Sequence, residues 1–143
     1  MKHILHGIDI FSGAGGLSLG AEMAGINITT AIEINPYAVK TFKRNHKGVD
    51  VLQGDIQDIS PEALHCNQKP IFIIMGGPPC QGFSMSNTRN RNMNNIKNFL
   101  FLEFVRFVRE IRPAWFVLEN VWGITNINEG KTKKLIEDCF RGI

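Results

Sequence analysis

Cys80 has the clearest chemical setting of any residue in this chain. It stands in Gly76-Gly77-Pro78-Pro79-Cys80-Gln81-Gly82-Phe83-Ser84, where prolines fix φ ahead of the sulfur and glycines let backbone approach a ligand closely. A thiol framed this way reads as a presented nucleophile. The commoner fate of a cysteine is that of a small buried hydrophobe, and Cys66 and Cys139, which lack such a frame, read as structural. Glu119, beside Asn120 at the end of another apolar run, pairs naturally with the thiol; a protonated Glu could donate to a ring nitrogen. Glu33 closes a β-branched run, where a carboxylate can accept from ribose hydroxyls. Asp55-Ile56 offers an acid for an exocyclic amine and an apolar side chain for a purine face.

Two further stretches fit these residues. Asp9-Ile10-Phe11-Ser12-Gly13-Ala14-Gly15-Gly16 ends an apolar run in glycines, as a turn does when its amides must approach a cofactor. The spacing of Gly13, Gly15, Gly16 and Gly20 does not fit GxGxxG, which disfavours a nicotinamide cofactor. Past the cysteine, Arg89, Arg91 and Lys97 lie among asparagines between Met85 and Asn98. They read either as a solvated mobile loop or as contacts to phosphates. His3, His6, His46 and His65 show no metal or triad spacing and read as ordinary surface or edge histidines.

The elements that must position these groups alternate regularly. Ile4 to Phe11 reads as a strand, Leu17 to Ala24 as a helix closed by Gly25, and Ile28 to Ile32 as a second strand. Asn35-Pro36 opens a helix running through Lys43, and Asp50 to Leu52 is a third short strand. Ser60-Pro61-Glu62 caps a brief helix, and Pro70 to Met75 is apolar enough for a central strand. Phe99 to Ile111 has helical periodicity, Arg112-Pro113 ends it, and Ala114 to Leu118 reads as a fifth buried strand. A polar turn, Asn126 to Gly130, precedes a last helix from Lys131 to Phe140. This is α/β, with a doubly wound, mainly parallel sheet. In such sheets ligands bind beyond the carboxyl ends of the strands, so Phe11, Glu33, Asp55, Cys80 and Glu119 are expected around one crevice.

Composition bounds the answer without naming it. The chain has 143 residues with 43% apolar content, enough for one domain with a real core. No run reaches the roughly 20 apolar residues of a bilayer span, and no signal peptide is visible, which points to the cytoplasm. Three cysteines without a CxxC pair suggest neither a disulfide framework nor a metal site. A formal charge of +3 permits a polyanionic partner without arguing for one.

Taken together, these residues resemble the DNA cytosine-5 methyltransferase family. Asp9 to Gly16 resembles its first motif, Glu33 its second, Gly54-Asp55-Ile56 its third, Gly77 to Ser84 its catalytic fourth and Glu119-Asn120-Val121 its sixth, in the family's order. The resemblance implies a sheet of S-adenosylmethionine-dependent methyltransferase (Rossmann-like) type, truncated after the fifth strand. It implies S-adenosylmethionine held by Asp9, Phe11, Gly13, Gly15, Gly16, Leu17, Glu33, Ile34, Asp55, Ile56, Pro79 and Leu100. It implies a cytosine flipped out of double-stranded DNA, attacked by Cys80 and held by Glu119, with Gln81, Ser84, Arg89, Arg91, Asn120 and Val121 on the DNA side. Neither a metal nor a membrane is implied.

The biological setting would be a restriction-modification system. The family's later QxRxR motif, target-recognition region and C-terminal motifs have no counterpart in residues 1–143, so the chain is expected to be either an incomplete fragment or one subunit of a split enzyme with a complementing C-terminal polypeptide, and alone it would be inactive. The alternatives are a catalytically dead remnant that binds cofactor or DNA, and an RNA cytosine-5 methyltransferase.

Overall fold

The structure is a computed structural model describing residues 4–65, 70–79, 100–122 and 131–143. Its centre is β1 (Leu5–Ile10), followed by α1 (Gly16–Met23), β2 (Ile26–Glu33), α2 (Pro36–Asn45) and β3 (Asp50–Gln53). Two short 3-10 segments, Ile56–Asp58 and Pro61–His65, lead to β4 (Ile71–Gly76); α3 (Leu100–Ile111), β5 (Trp115–Leu118) and α4 (Lys131–Phe140) complete the order. The five strands are parallel in the order β3-β2-β1-β4-β5. Chain order therefore reverses between β1 and β4, where doubly wound sheets open a binding crevice.

Strand periodicity divides the core into two layers. Ile8, Ile10, Ile32 and Ile74 point to the face covered by Phe104, Phe107, Val108 and Ile111 of α3, with Ile56 and Leu64 filling the same cluster. Ile28, Ile73 and Met75 meet Ala21 of α1 on the other face, while Ala31 and Val51 meet Val39 and Phe42 of α2. The helix boundaries have local causes. Asn35 caps α2 by accepting from the N–H groups of Tyr37 and Ala38, and Pro36 follows at a position where a missing N–H costs nothing. Gly25 closes the turn after α1 with φ of 84°.

One expectation is corrected. The apolar run 114–118 forms a strand, but not a buried one: Trp115 is 65% exposed, Phe116 41% and Val117 45%. Hydrophobicity along a strand reports what it can pack against, whereas burial depends on neighbours elsewhere in the chain. β5 ends the sheet, and among the described residues no strand pairs with its outer side. Phe140 of α4 stacks on Phe116 with ring centroids 4.3 Å apart and covers part of one face. Trp115 and Val117, in register with Ile73 and Met75, face the other side with little cover.

An unpaired apolar edge is an adhesive surface. The chain is expected to self-associate at micromolar concentration, and Val117→Lys is expected to shift it towards monomer. Sedimentation velocity measures both; a concentration-independent monomer for the unaltered chain would count against this assignment.

Candidate active site

The carboxyl ends of the strands carry three constructions. At the first, the chain leaves β1 through Phe11, whose φ of 61° is left-handed, and then through Gly13 and Gly15 with φ of 55° and 98°. A bulky residue in that region is strained unless its surroundings hold it there. Here they do: the N–H of Ser12 donates to the Ile32 carbonyl at 3.0 Å, and Phe11 packs against the core beneath. Glu33 fastens the loop from the side. One carboxylate oxygen accepts from the Gly13 N–H at 2.8 Å, and the other from the Asn35 N–H at 2.7 Å. Each oxygen retains a lone pair for a hydroxyl. Above Gly13 and Gly16 the space is open, with no atom within 4 Å of where a side chain would begin.

Beneath the loop lies a buried polar layer. Asp9 is fully buried on the α1 face of the sheet and accepts from the Ser18 hydroxyl at 2.6 Å. Burial raises its pKa to about 6; the Ser18 hydrogen bonds and the nearby His46 oppose the rise without cancelling it. Its other oxygen and the Ser12 hydroxyl are buried without a hydrogen-bond partner among the described residues. Asp9 thus supports the loop from below, and its carboxylate does not line an open crevice.

His46 corrects the expectation of a surface histidine. It is 5% exposed, stacked on Phe42 at 4.4 Å, with Nδ1 3.1 Å from Glu22 Oε2. Its ring fills the space beside Gly15, where any Cβ would collide with it. His6 is likewise buried, because β1 is the central strand, and its Nδ1 lies 3.2 Å from Asn27 Nδ2.

The second construction joins β4 to β5. Gly76 passes so close to β1 that a Cβ would strike the Ile10 carbonyl oxygen. Its own carbonyl accepts from the Glu119 N–H at 2.9 Å. The Glu119 side chain then lies over the next glycine, its Oε2 2.7 Å from where a Cβ of Gly77 would stand. Asn120 reaches back, its Nδ2 donating to the Pro78 carbonyl at 3.4 Å, while its Oδ1 accepts from the Val121 N–H at 2.8 Å. Glu119 and Asn120 are therefore assembled around residues 76–78. Pro79 is exposed at the end of this segment. Cys80, Gln81, Ser84, Arg89 and Arg91 lie outside the described residues, as does Cys66; Cys139 is a half-buried free thiol.

The third construction holds Asp55, whose Oδ1 accepts from the Gln57 N–H at 3.0 Å and caps the 3-10 turn 56–58. The expected purine contact from the Ile56 side chain is corrected: the turn points it into the core, where it is 4% exposed. Ile34 is 61% exposed between Glu33 and the α2 cap. Leu17 and Leu100 are partly buried at the starts of α1 and α3.

Three positioning groups were missed in the sequence: Ser18, His46 and Arg106. Arg106 donates to the Ile56 and Ile59 carbonyls at 2.8 and 3.1 Å. Its only sequence signal is Glu103 one helical turn before it, an ordinary pairing.

A parallel five-stranded sheet in this order, with a glycine loop after β1 and acids after β2, β3 and β5, defines a Rossmann-like methyltransferase fold. The family model for the C-5 cytosine-specific DNA methylase matches residues 5–143, and the chain belongs to that family. Type II methyltransferase M1.HphI of Haemophilus parahaemolyticus is 42% identical over 136 residues, covering 93% of this chain and 37% of that protein. Type II methyltransferase M.AquIA of Picosynechococcus sp. is 40% identical over 133 residues, covering 90% of this chain and 53% of that one. The crystal structure of a protein described as a DNA modification methyltransferase encoded within an E. coli prophage superposes with a TM-score of 0.81 at 36% identity, over 96% of this chain and 38% of that chain. Spodoptera frugiperda DNMT2 shares the fold, with a TM-score of 0.71 at 24% identity, over 96% of this chain and 40% of that chain. The chain thus spans about a third to a half of the length of the relatives it matches.

Asp9 gives this site a measurable pH signature. Its folded pKa, about 6, lies above the ordinary 3.8, so the folded state holds the proton more tightly. The resulting stabilisation, about 3 kcal/mol at most, is present below about pH 4 and is lost as pH rises through about 6. Relative to Asp9→Asn, the unaltered chain is expected to lose stability by roughly that amount between about pH 4 and pH 7. Urea unfolding midpoints across this range check it, and a pH-independent difference would refute it.

Proposed function

We propose that this chain carries the cofactor and nucleophile sites of an enzyme that methylates C5 of cytosine in double-stranded DNA, in a restriction-modification setting. The observation that carries the reading is the assembly of Glu119 and Asn120 around Gly76, Gly77 and Pro78, the residues leading to Cys80. S-adenosylmethionine, when bound, supplies the methyl group. The chain's residues fit such a cofactor. Gly13 and Gly16 leave open space at the N-terminus of α1, the Glu33 oxygens have capacity left for ribose hydroxyls, and Asp55 stands ready for an adenine amine. Phe11 and Ile34 flank the adenine, Pro79 and Leu100 close the pocket, and Gly15, Leu17 and the Ile56 main chain complete it.

On the substrate side, a cytosine turned out of the duplex presents C6 to the Cys80 thiolate. Sulfur forms a bond to C6, and the displaced π electrons make C5 nucleophilic. Glu119 holds N3 as that charge develops. Once C5 carries the methyl group, its proton passes to a solvent base, the C5–H electrons re-form the C5–C6 double bond, and the C6–S bond breaks with its electrons returning to sulfur as the thiolate. A thiolate needs local activation, since a free thiol is mostly protonated at neutral pH. Gln81, Ser84, Arg89, Arg91, Asn120 and Val121 are assigned to the base and its phosphates. Because the chain spans about a third to a half of the length of the relatives it matches, turnover is assigned to this part together with further polypeptide.

The test is methyl transfer from labelled cofactor to duplex DNA, with RNA in parallel, using the chain with and without a C-terminal complement. Cys80→Ala is expected to abolish transfer by the complemented protein. Undiminished transfer would remove Cys80 as nucleophile, and preference for RNA would replace the substrate. Gly77→Ala probes the carboxylate: the added methyl meets only the far end of Glu119, so the thermal midpoint should move by about 4 °C or less. Displacing Glu119 is nevertheless expected to slow transfer roughly 100-fold.

A further inference from the structure

We propose that Arg106 is a positioning residue that fixes Asp55 and thereby selects adenine over other purines; this rests on the assignment of Asp55 to the adenine amine. Asp55 begins a 3-10 turn of three residues, Ile56–Asp58. Such a turn makes few internal bonds, and its last carbonyls have no partner within it. Inside the turn the Asp58 N–H donates to Asp55 at 3.0 Å and the Ile59 N–H to Ile56 at 3.3 Å. Two external anchors hold it. The Ile56 side chain is sunk among Phe104 and Phe107 of α3. The Arg106 guanidinium, from the same helix, donates through Nη2 to the Ile56 carbonyl at 2.8 Å and the Ile59 carbonyl at 3.1 Å.

Arg106 is itself held. Its Nε and Nη2 each lie 2.7 Å from Glu103 Oε2, and its Cζ lies 4.8 Å from the Phe107 ring centroid. The planar fork thus presents donors to a carboxylate and to two carbonyls together, which a lysine with one compact ammonium does not reproduce. The turn is clamped at its N-terminal end by the Asp55 cap and at its C-terminal end by Arg106. Removing the guanidinium takes this donor from the Ile59 carbonyl and leaves the Ile56 carbonyl with the longer Ile59 N–H bond at 3.3 Å, which frees the turn to move and carry the Asp55 carboxylate with it.

Purine selectivity reads this out where a general loss of stability does not. S-adenosylhomocysteine offers an amine to Asp55, while S-inosylhomocysteine offers a carbonyl oxygen, which a carboxylate repels. Calorimetric titration of the unaltered chain is expected to favour the adenosine compound on the order of 100-fold. Asp55→Ala should remove that preference. Arg106→Met should reduce it at least about tenfold, and Arg106→Lys should fail to restore it. Leu102→Ala, an exposed change on the same helix, should leave it intact. Amide exchange at Asp58 and Ile59 should accelerate in Arg106→Met relative to Leu102→Ala.

If neither compound binds, or if Asp55→Ala keeps the preference, the Asp55 assignment falls and the selective role of Arg106 with it. If Asp55→Ala loses the preference while Arg106→Met retains it, or exchange is unchanged in Arg106→Met, the Arg106 proposal alone is overturned.

Discussion

The site depends on one close approach. At the end of β4 the backbone of Gly76 lies against the Ile10 carbonyl with no room for a Cβ, and any side chain there would push β4 from β1 at the point where strand order reverses. Three things follow from that contact. β4 stays close against β1, the segment 77–79 leaves the sheet from that end of β4, and the Gly76 carbonyl is aimed at the Glu119 N–H. A glycine costs conformational entropy in a strand, about 1 kcal/mol against alanine. Here that cost secures the register between the strand that carries the glycine loop and the strand that leads to the thiol.

The second constraint is electrostatic and works from below. Asp9, Ser18 and His46 form a buried polar layer under the loop, where burial raises the Asp9 pKa despite two opposing partners. Buried polar groups are weak evidence for stability, since well-packed apolar residues often serve as well or better. What the polar layer provides is direction: Ser18 ties the start of α1 to β1, and His46, held by Glu22 and Phe42, fills the space beside Gly15. Together with Glu33 above, these contacts hold Phe11 in a left-handed conformation that is strained for a bulky residue, beside glycines that adopt one without steric cost.

Much of this was legible in the sequence, because its signals are local. Glycines after the run 4–11, the Asn35-Pro36 cap and acids just past apolar runs give element order and place Glu33, Asp55 and Glu119 at strand ends. What was not legible depends on distant partners. The run 114–118 reads as buried, yet β5 stands at an edge, because nothing in those residues says how many strands lie beyond them. His46 shows no partner spacing, since Glu22 is 24 residues away. Ile56 is apolar beside an acid, and only the direction of the 3-10 turn sends it inward. Arg106 reaches carbonyls 47 and 50 residues earlier, a relation no periodicity reveals.

The two sides of the sheet differ in completeness. From β3 to β1 both faces carry core clusters, and the first loop, the α2 cap and the Asp55 turn are each held by a side-chain hydrogen bond. From β4 to β5 the cover thins, and Glu119 is exposed at the end of a strand that is itself exposed. In the proposed role, a protonated carboxyl that donates to a ring nitrogen while charge develops on the base gains from exclusion of water, since solvent weakens the interaction. Binding and catalysis should therefore separate along this axis. On the function proposed above, the cofactor side rests on contacts among the described residues, whereas the nucleophile side needs its exposed wall closed, by substrate and by further polypeptide, before Glu119 and the thiol act together.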